Sequence, residues 1–497
     1  MTLAGETHSG LFLANAQPAQ SGYYSVIVSN ASGCVTSQVA RLKVFLPTAT
    51  PHSLSGIEAQ SNGSVSLTFN GETTLLFAPY YDLYPLEASS NLIDWMPVAL
   101  LQRPNGEPDA VRFVDTNAPQ FSQRFYRTPT NALLTPDPQP TGPYAVGTFS
   151  MLLNDPSRTN TVLRTNYQFM ITFWYPAVTQ AGVLPAIYVE QQVALGASFW
   201  NLGTLGFSGA GNFGSQVAAF FSHSLSNALV ATNSIKYPVV LYSPGYLSHR
   251  RDNTDKAEEL ASWGYVVVGL DTRETYVSVF PDGKVVRGQG GLSDVNSVAV
   301  IVARIEEWLL DQKFVLDQLE SLNASDPRLA GRLDLDRIGA FGWSLGGSTA
   351  AQLCLREPRC KAGVGFDGSF FETNLLTQTL NVPYLFFCED DTPQNESPPN
   401  DDRLPVFNHM ATNAYWVKLI STVHASFGDA GLIDDSASLR TVWGTPVSGQ
   451  FLPPARVSQI VRAYVLSFFN KYLKGQDDHL LDGPSPAYPE IEQFIKK

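Results

Sequence analysis

Ser344 stands among glycines, in Phe341-Gly342-Trp343-Ser344-Leu345-Gly346-Gly347, directly after the apolar run Arg337-Ile338-Gly339-Ala340-Phe341. Such a segment has few ways to fold. A strand that turns sharply into a helix holds its turn residue in a strained conformation, and side chains two positions to either side collide unless they are nearly absent. Gly342 and Gly346 meet that need, while Gly347 and the small residues Ser348, Thr349, Ala350 and Ala351 let the following helix pack closely on a sheet. The layout is a strand–turn–helix that presents its serine as a nucleophile. The bland alternative is a glycine turn whose serine caps a helix.

From about residue 143 onward, strand patterns alternate with helix patterns. Ile171-Thr172-Phe173-Trp174-Tyr175, Val239 to Ser243, Tyr265 to Leu270, Tyr384 to Phe387 and Ala414 to Ile420 are apolar runs of the kind a sheet covered on both faces requires. Helical patterns fall at Asp255 to Trp263, Asp294 to Leu322, Ser348 to Arg356 and Arg456 to Leu473. This predicts an α/β domain over 143–475 built on a mostly parallel sheet, with a tail over 476–497. Val178 to Lys236, rich in Phe, Leu, Gly and Ala, is either a lid or pocket wall or a structural insertion.

The upstream part reads differently. At 497 residues the chain exceeds one ordinary domain. Residues 1–46 carry short strand patterns at Leu11 to Leu13, Gly22 to Val28 and Val35 to Phe45, with turn residues Ser29 to Gly33 between the last two. Residues 51–130 form a second β-rich module, with strands at Val65 to Phe69, Tyr84 to Ser89 and Arg124 to Arg127. Tyr84, Trp95 and Tyr126 are either core aromatics or a platform for carbohydrate or cell-surface material. The run Thr135-Pro136-Asp137-Pro138-Gln139-Pro140, within 131–142, reads as a semi-rigid linker.

Composition narrows the function classes. Net charge is −13 and no Lys/Arg cluster occurs, so nucleic acid and anionic membrane surfaces are poor partners. Charged residues make up only 15%, while Gly, Pro, Ser, Thr and Asn are plentiful, a balance that suits exported β-rich modules. The cysteines Cys34, Cys354, Cys360 and Cys388 have no CxxC spacing and no His cluster, which argues against zinc. Cys354 and Cys360 are spaced either to pair or to stay as buried thiols. No run of about 20 apolar residues spans a membrane, and no signal peptide follows Met1.

A serine hydroxyl attacks well only with a base in reach and an acid that orients the base. Of the seven histidines, His424 lies on the loop after the last predicted sheet strand, in Ser421-Thr422-Val423-His424-Ala425-Ser426-Phe427-Gly428-Asp429. His409 falls earlier in a helix pattern, and His8, His52 and His479 fall outside the α/β domain. Two places offer the acid. Asp367 ends the apolar run Ala362 to Phe366, one strand after the serine, and Asp390 and Asp391 end the next strand. Either keeps the order Ser, Asp, His of the α/β-hydrolase layout that this turn resembles. An oxyanion hole needs two backbone N–H groups, expected from Leu345 at the start of the helix and from Tyr246 after Tyr242-Ser243-Pro244-Gly245. No metal or organic cofactor is implied.

Several motifs extend the resemblance to a family. Pro143 to Phe149, Phe173-Trp174-Tyr175-Pro176-Ala177, Ser222 to Ala228, Phe366-Asp367-Gly368 and Val423-His424-Ala425-Ser426-Phe427-Gly428-Asp429 resemble segments of the platelet-activating-factor acetylhydrolase group of α/β-hydrolases. The last two assign acid and base separately from the elbow and favour Asp367. The resemblance implies a serine carboxylic-ester hydrolase acting on short acyl or lipid-derived esters. Pro244 and Trp343 stand where that group has His. Ser243-Pro244-Gly245-Tyr246, Gly342-Trp343-Ser344 and Cys388-Glu389-Asp390-Asp391 resemble bacterial cutinase-like polyester hydrolases, which would move the acid to Asp391. Gln20 to Asn30 resembles the tyrosine-containing stretch of an immunoglobulin-like domain, with Tyr24 as its tyrosine and Val26 at the cysteine position. Residues 51–130 resemble a fibronectin-type or immunoglobulin-like sandwich. The incomplete first module implies that Met1 is an internal start and the chain is the C-terminal piece of a longer, secreted or cell-surface bacterial protein. A third reading is an adhesion or carbohydrate-binding protein with an inert hydrolase domain.

Overall fold

Short apolar runs flanked by Gly, Pro or Ser become the strands of one large sheet, because five to seven residues span a sheet but make a poor helix. The computed structural model describes residues 22–30, 33–37, 40–42, 53–70, 81–90, 92, 96–104, 111–127, 138–160, 165–179, 183, 185–190, 221–232, 236–291, 294, 297–371, 374–390, 403–410, 413–433, 446–447 and 449–497. The chain divides into two units, Met1–Leu134 and Thr135–Lys497.

In the larger unit we label the sheet strands β1 (Ala145–Asn160), β2 (Thr165–Ala177), β3 (Pro185–Ile187), β4 (Phe221–Ser226), β5 (Tyr237–Ser243), β6 (Val266–Leu270), β7 (Leu333–Trp343), β8 (Cys360–Phe366), β9 (Tyr384–Cys388), β10 (Ala414–Leu419) and β11 (Ile491–Lys496). Their order across the sheet is β3-β4-β1-β2-β6-β5-β7-β8-β9-β10-β11. Strands β6, β5, β7, β8, β9 and β10 pair in parallel. The antiparallel β1–β2 pair joins them through β2 and β6. All residues of β5 and β6 are buried, as expected of strands covered on both faces.

The longer helices among the described residues are α1 (Thr254–Ser262), α2 (Val298–Ser325), α3 (Leu345–Arg356), α4 (Arg403–His409) and α5 (Pro454–Phe469). Helix α3 packs on β7 and β8, α2 on α3, and α5 on α1. Phe173, Leu241, Val268, Leu316, Ala350, Tyr384 and Phe386 belong to the main core. At about 25 cal/mol per Å² of apolar surface removed from water, such burial dominates stability.

Two segments differ from expectation. The supposed tail ends in β11, which pairs antiparallel with β10 because Ile491 is buried and Phe494 meets Tyr415 and Tyr464 at 6.3 Å. Within Val178 to Lys236, β3 and β4 extend the far edge of the sheet, while residues 191–220 lie outside the described residues. The described end of the linker is held down. Thr141 N–H donates to Glu259 at 2.9 Å, Gly142 N–H to Ser262 Oγ at 3.0 Å, and Arg462 to the Pro138 and Gln139 carbonyls. Cys354, at the end of α3, and Cys360, opening β8, face each other as thiols with Sγ atoms 3.2 Å apart.

The smaller unit is β apart from one 3₁₀ turn, Ala118–Gln120, among its described residues. Ser53–Ala59, Val65–Asn70 and Val111–Asp115 form one antiparallel sheet, and Tyr81–Ser89, Met96–Pro104 and Phe125–Arg127 another. Leu67, Phe69 and Leu86 are its core, with Tyr126 packed against them and its hydroxyl 3.0 Å from Asp115. Trp95 and the Tyr84 side chain lie outside the described residues. The strand expected over Gly22 to Val28 is broken. Gly22–Tyr24 pairs with Ala40–Leu42 and Ile27–Asn30 with Gly33–Thr36, because Val26 N–H bonds instead to Ser37 Oγ at 3.0 Å. Leu11 to Leu13 lie outside the described residues.

Candidate active site

Strand β7 ends at Trp343 and α3 begins at Leu345, so Ser344 alone makes the turn. Its φ is 56° and ψ −124°, a conformation that costs a side-chain-bearing residue about 1–3 kcal/mol and persists only where surroundings enforce it. They do so through backbone contact. A Cβ on Gly342 would strike the Gly346 carbonyl, and one on Gly346 the Ser243 carbonyl at the end of β5. Ser344 N–H donates to the Phe366 carbonyl at 2.8 Å, which ties the turn to the end of β8. The Ser344 side chain is half-buried at the N-terminus of α3, where the helix dipole favours negative charge.

One residue beyond β8, Asp367 also has positive φ, 50°, and its N–H donates to the Phe387 carbonyl at 2.9 Å. Its carboxylate is buried. Oδ2 lies 2.5 Å from Nδ1 of His424, and Oδ1 pairs with Nη1 of Arg403. Burial pushes this carboxyl upward, but the Arg403 guanidinium and hydrogen bonds with His424 and Glu389 hold it well below the usual carboxylate range. An ionised carboxylate only accepts, so the His424 proton sits on Nδ1 and Nε2 is the basic nitrogen.

His424 opens a single 3₁₀ turn, His424–Phe427, after β10. Its neighbours in the sequence hold that loop. Val423 N–H bonds Ser426 Oγ at 3.0 Å, and Phe427 is buried with its ring stacked on Phe366 at 6.1 Å, next to Asp367. Asp429 Oδ2 accepts from Thr254 N–H and Tyr188 O–H, both at 2.6 Å, which moors the loop at the start of α1. From the other side, the Trp343 indole N–H donates to the His424 carbonyl at 2.9 Å, with the two rings 5.3 Å apart. The residue preceding Ser344 therefore locks the histidine loop to the turn.

Tyr246 and Leu345 meet in one apolar cluster with Ile301, Ile305 and Trp308. The Tyr246 hydroxyl donates to Asp294 at 2.6 Å and its ring stacks on Trp308. Gly245 lies flat against Trp343, where a Cβ would come within 2.7 Å of the indole. Both expected oxyanion donors thus belong to segments packed beside Ser344.

This architecture has solved counterparts. A ferulic acid esterase from Streptomyces cinnamoneus superposes with a TM-score of 0.61 at 27% identity, over 73% of this chain and all of that one. The larger unit has the α/β-hydrolase fold. The family model described as PETase, PET hydrolase-like, matches residues 309–432 of the hydrolase unit, the span that holds Ser344, Asp367 and His424. Among curated proteins, a probable 1-alkyl-2-acetylglycerophosphocholine esterase of Arthroderma benhamiae is 28% identical over 51% of this chain and 65% of its own length. Platelet-activating factor acetylhydrolase of Cavia porcellus is 22% identical over 50% of this chain and 63% of its own. The chain spans just under two thirds of the length of these relatives.

Of the alternative acids, Asp390 meets other partners. Asp390 Oδ2 accepts from Ser421 N–H at 3.0 Å and Oδ1 lies 3.2 Å from Lys418 Nζ, and Asp391 lies outside the described residues. His409 is exposed at the end of α4, and His479 is exposed beside Asp482. Two neighbours of Asp367 were given no role from the sequence, Arg403 and Glu389. Ligand atoms of Asp367, Glu389 and His424 lie within 4.8 Å of one another, close enough to hold a cation, and the positive charge at Asp367 comes from Arg403. Only the general need of a buried carboxylate for a cation could have pointed to it. Among the described residues, no helix is long and apolar enough to cross a membrane.

Proposed function

We propose that the hydrolase unit is a serine carboxylic-ester hydrolase working through an acyl-enzyme. The observation that carries this reading is the 2.5 Å contact between Asp367 and the imidazole of His424, on a loop locked to the strained Ser344 turn. Ser344 Oγ attacks the ester carbonyl while His424 Nε2 takes its proton. The Leu345 and Tyr246 N–H groups hold the alkoxide that forms. His424 then returns the proton to the departing alcohol, and water, activated the same way, releases the acid. Asp367 fixes the tautomer and stabilises the imidazolium.

The names of the curated relatives favour short acyl and lipid-derived esters. A polyester is the second reading, favoured by the PET hydrolase-like match and by Trp343 and Tyr246 beside Ser344. We infer also that residues 1–46 and 51–130 are immunoglobulin- or fibronectin-like modules of an exported bacterial protein that bring the enzyme to carbohydrate or cell-surface material.

Hydrolysis of p-nitrophenyl acetate and longer homologues by wild type and Ser344→Ala tests the chemistry. Loss of roughly 10⁶ in kcat is expected. Retention of most activity would remove Ser344 from the mechanism, and no activity in either protein would favour the inert, adhesive reading. Turnover of polymer film without turnover of soluble short esters would reverse the order of substrates.

A further inference from the structure

We propose that Arg403 and Glu389 are positioning residues that complete the acid of this site, so that Asp367 orients His424 as half of a guanidinium-bound carboxyl pair. The inference rests on the Ser344, Asp367 and His424 reading and goes beyond it. Asp367 uses one oxygen for His424 and the other for Arg403, and its side chain is only 1% exposed. Arg403 is brought in by α4, with its guanidinium 5.8 Å from the Trp416 ring, and is itself 3% exposed. Glu389, from the end of β9, is 7% exposed, and its carboxylate lies within 4.8 Å of the ligand atoms of both Asp367 and His424.

Two buried carboxyl groups with oxygens within 4.8 Å of one another each disfavour the other's ionisation, so which of them keeps its charge matters. A proton on Asp367 would turn an acceptor toward His424 into a donor, reverse the tautomer and take the lone pair from Nε2. Arg403, charged at every accessible pH, contacts Asp367 directly and selects it as the ionised member. Glu389 is then the member left to take up a proton, with its carboxyl within 4.8 Å of Asp367.

The remaining charges nearby do not compete. Asp390 faces Lys418 and the Ser421 N–H, and Lys418 also pairs with Glu492. Among the described residues, the titratable groups gathered at His424 are Asp367 and Glu389, with Arg403 reached through Asp367. Without Arg403, the Asp367 charge would stand unopposed beside the imidazole.

The test is the pH dependence of kcat/KM for p-nitrophenyl acetate with full-length wild type, Arg403→Met, Arg403→Lys and Ser344→Ala. Arg403→Met should move the acid limb to higher pH by about one unit and lower kcat at neutral pH at least about tenfold, with KM within about threefold. Arg403→Lys should return the limb toward its wild-type position. A merely structural arginine would change stability and leave the limb in place, and that outcome overturns the proposal, as do equal profiles for Met and Lys. If Arg403→Met does not fold, Arg403→Met added to Asp367→Asn, where no charge is left to select, supplies the test. It should cost little beyond Asp367→Asn alone, and a full additive loss overturns the inference. Activity that survives in Ser344→Ala would instead sink the reading on which this rests.

Discussion

Strands β8 and β9 lie side by side in parallel, and each delivers a carboxylate just past its C-terminal end. Asp367, after β8, turns back at φ 50° and is met by His424 and Arg403. Asp390, after β9 and Glu389, is met by Lys418, whose ammonium is partly exposed, and by the Ser421 N–H at the end of β10. Both side chains are buried and both sit where α/β-hydrolases can carry their acid. Strand position alone does not separate them. The partners do: one carboxylate is aimed at an imidazole, the other braces the turn that leads to it.

Substitutions can break or sharpen this contrast. Asp367→Asn should lower kcat by about 10⁴, because the amide presents the wrong tautomer to His424, while Asp390→Asn should stay within about tenfold of wild type. The reverse result would put the acid on β9. A smaller loss is expected of Gly368→Ala, whose Cβ would come 2.5 Å from the Ser344 carbonyl oxygen and push the elbow away from Asp367, so ester turnover should fall more than thermal stability. Stability should also respond to acid through Asp367. The Asp367 carboxyl is held below its unfolded value of about 3.9, so its contribution is present above that pH and is lost as pH falls below it. Thermal midpoints between pH 3 and 7 should therefore slope less steeply in Asp367→Asn than in wild type, and an unchanged slope would mean that Arg403 and His424 do not stabilise the ionised form. The smallest effect belongs to Lys418→Met, a pair open to solvent on one side. A shift of about 2–4 °C, corresponding to about 1 kcal/mol, is expected with ester hydrolysis intact.

Much of the hydrolase fold was legible because its constraints are local. Val239 to Tyr242 and Tyr265 to Leu270 carry no polar side chain beyond tyrosine hydroxyls, which suits a strand buried on both faces, and the Ser344 turn demands glycine two positions to either side. His424 was legible for the same reason, since Val423, Phe427 and Asp429 anchor its loop within a few residues. Edge strands were harder. In β11 only Ile491 is fully buried, so the periodicity that would announce a strand is weak. The break at Val26 depends on a hydrogen bond to Ser37, eleven residues away, which no pattern in Gly22 to Val28 reveals. Arg403 and Glu389 were illegible for a stronger reason. Glu389 was noticed only as part of Cys388-Glu389-Asp390-Asp391 and Arg403 not at all, and their significance comes from meeting Asp367 only after three separate elements have packed.

The indole of Trp343 hydrogen-bonds the backbone of His424 and lies 5.3 Å from its ring. An excited indole gives up an electron more readily to a protonated imidazole than to a neutral one, so emission from Trp343 should dim as His424 gains its proton. The chain has eight tryptophans, and the difference between wild-type and Trp343→Phe emission isolates this one. The molecule thus carries an optical gauge for the charge on the proposed base, readable in the absence of substrate and independent of turnover.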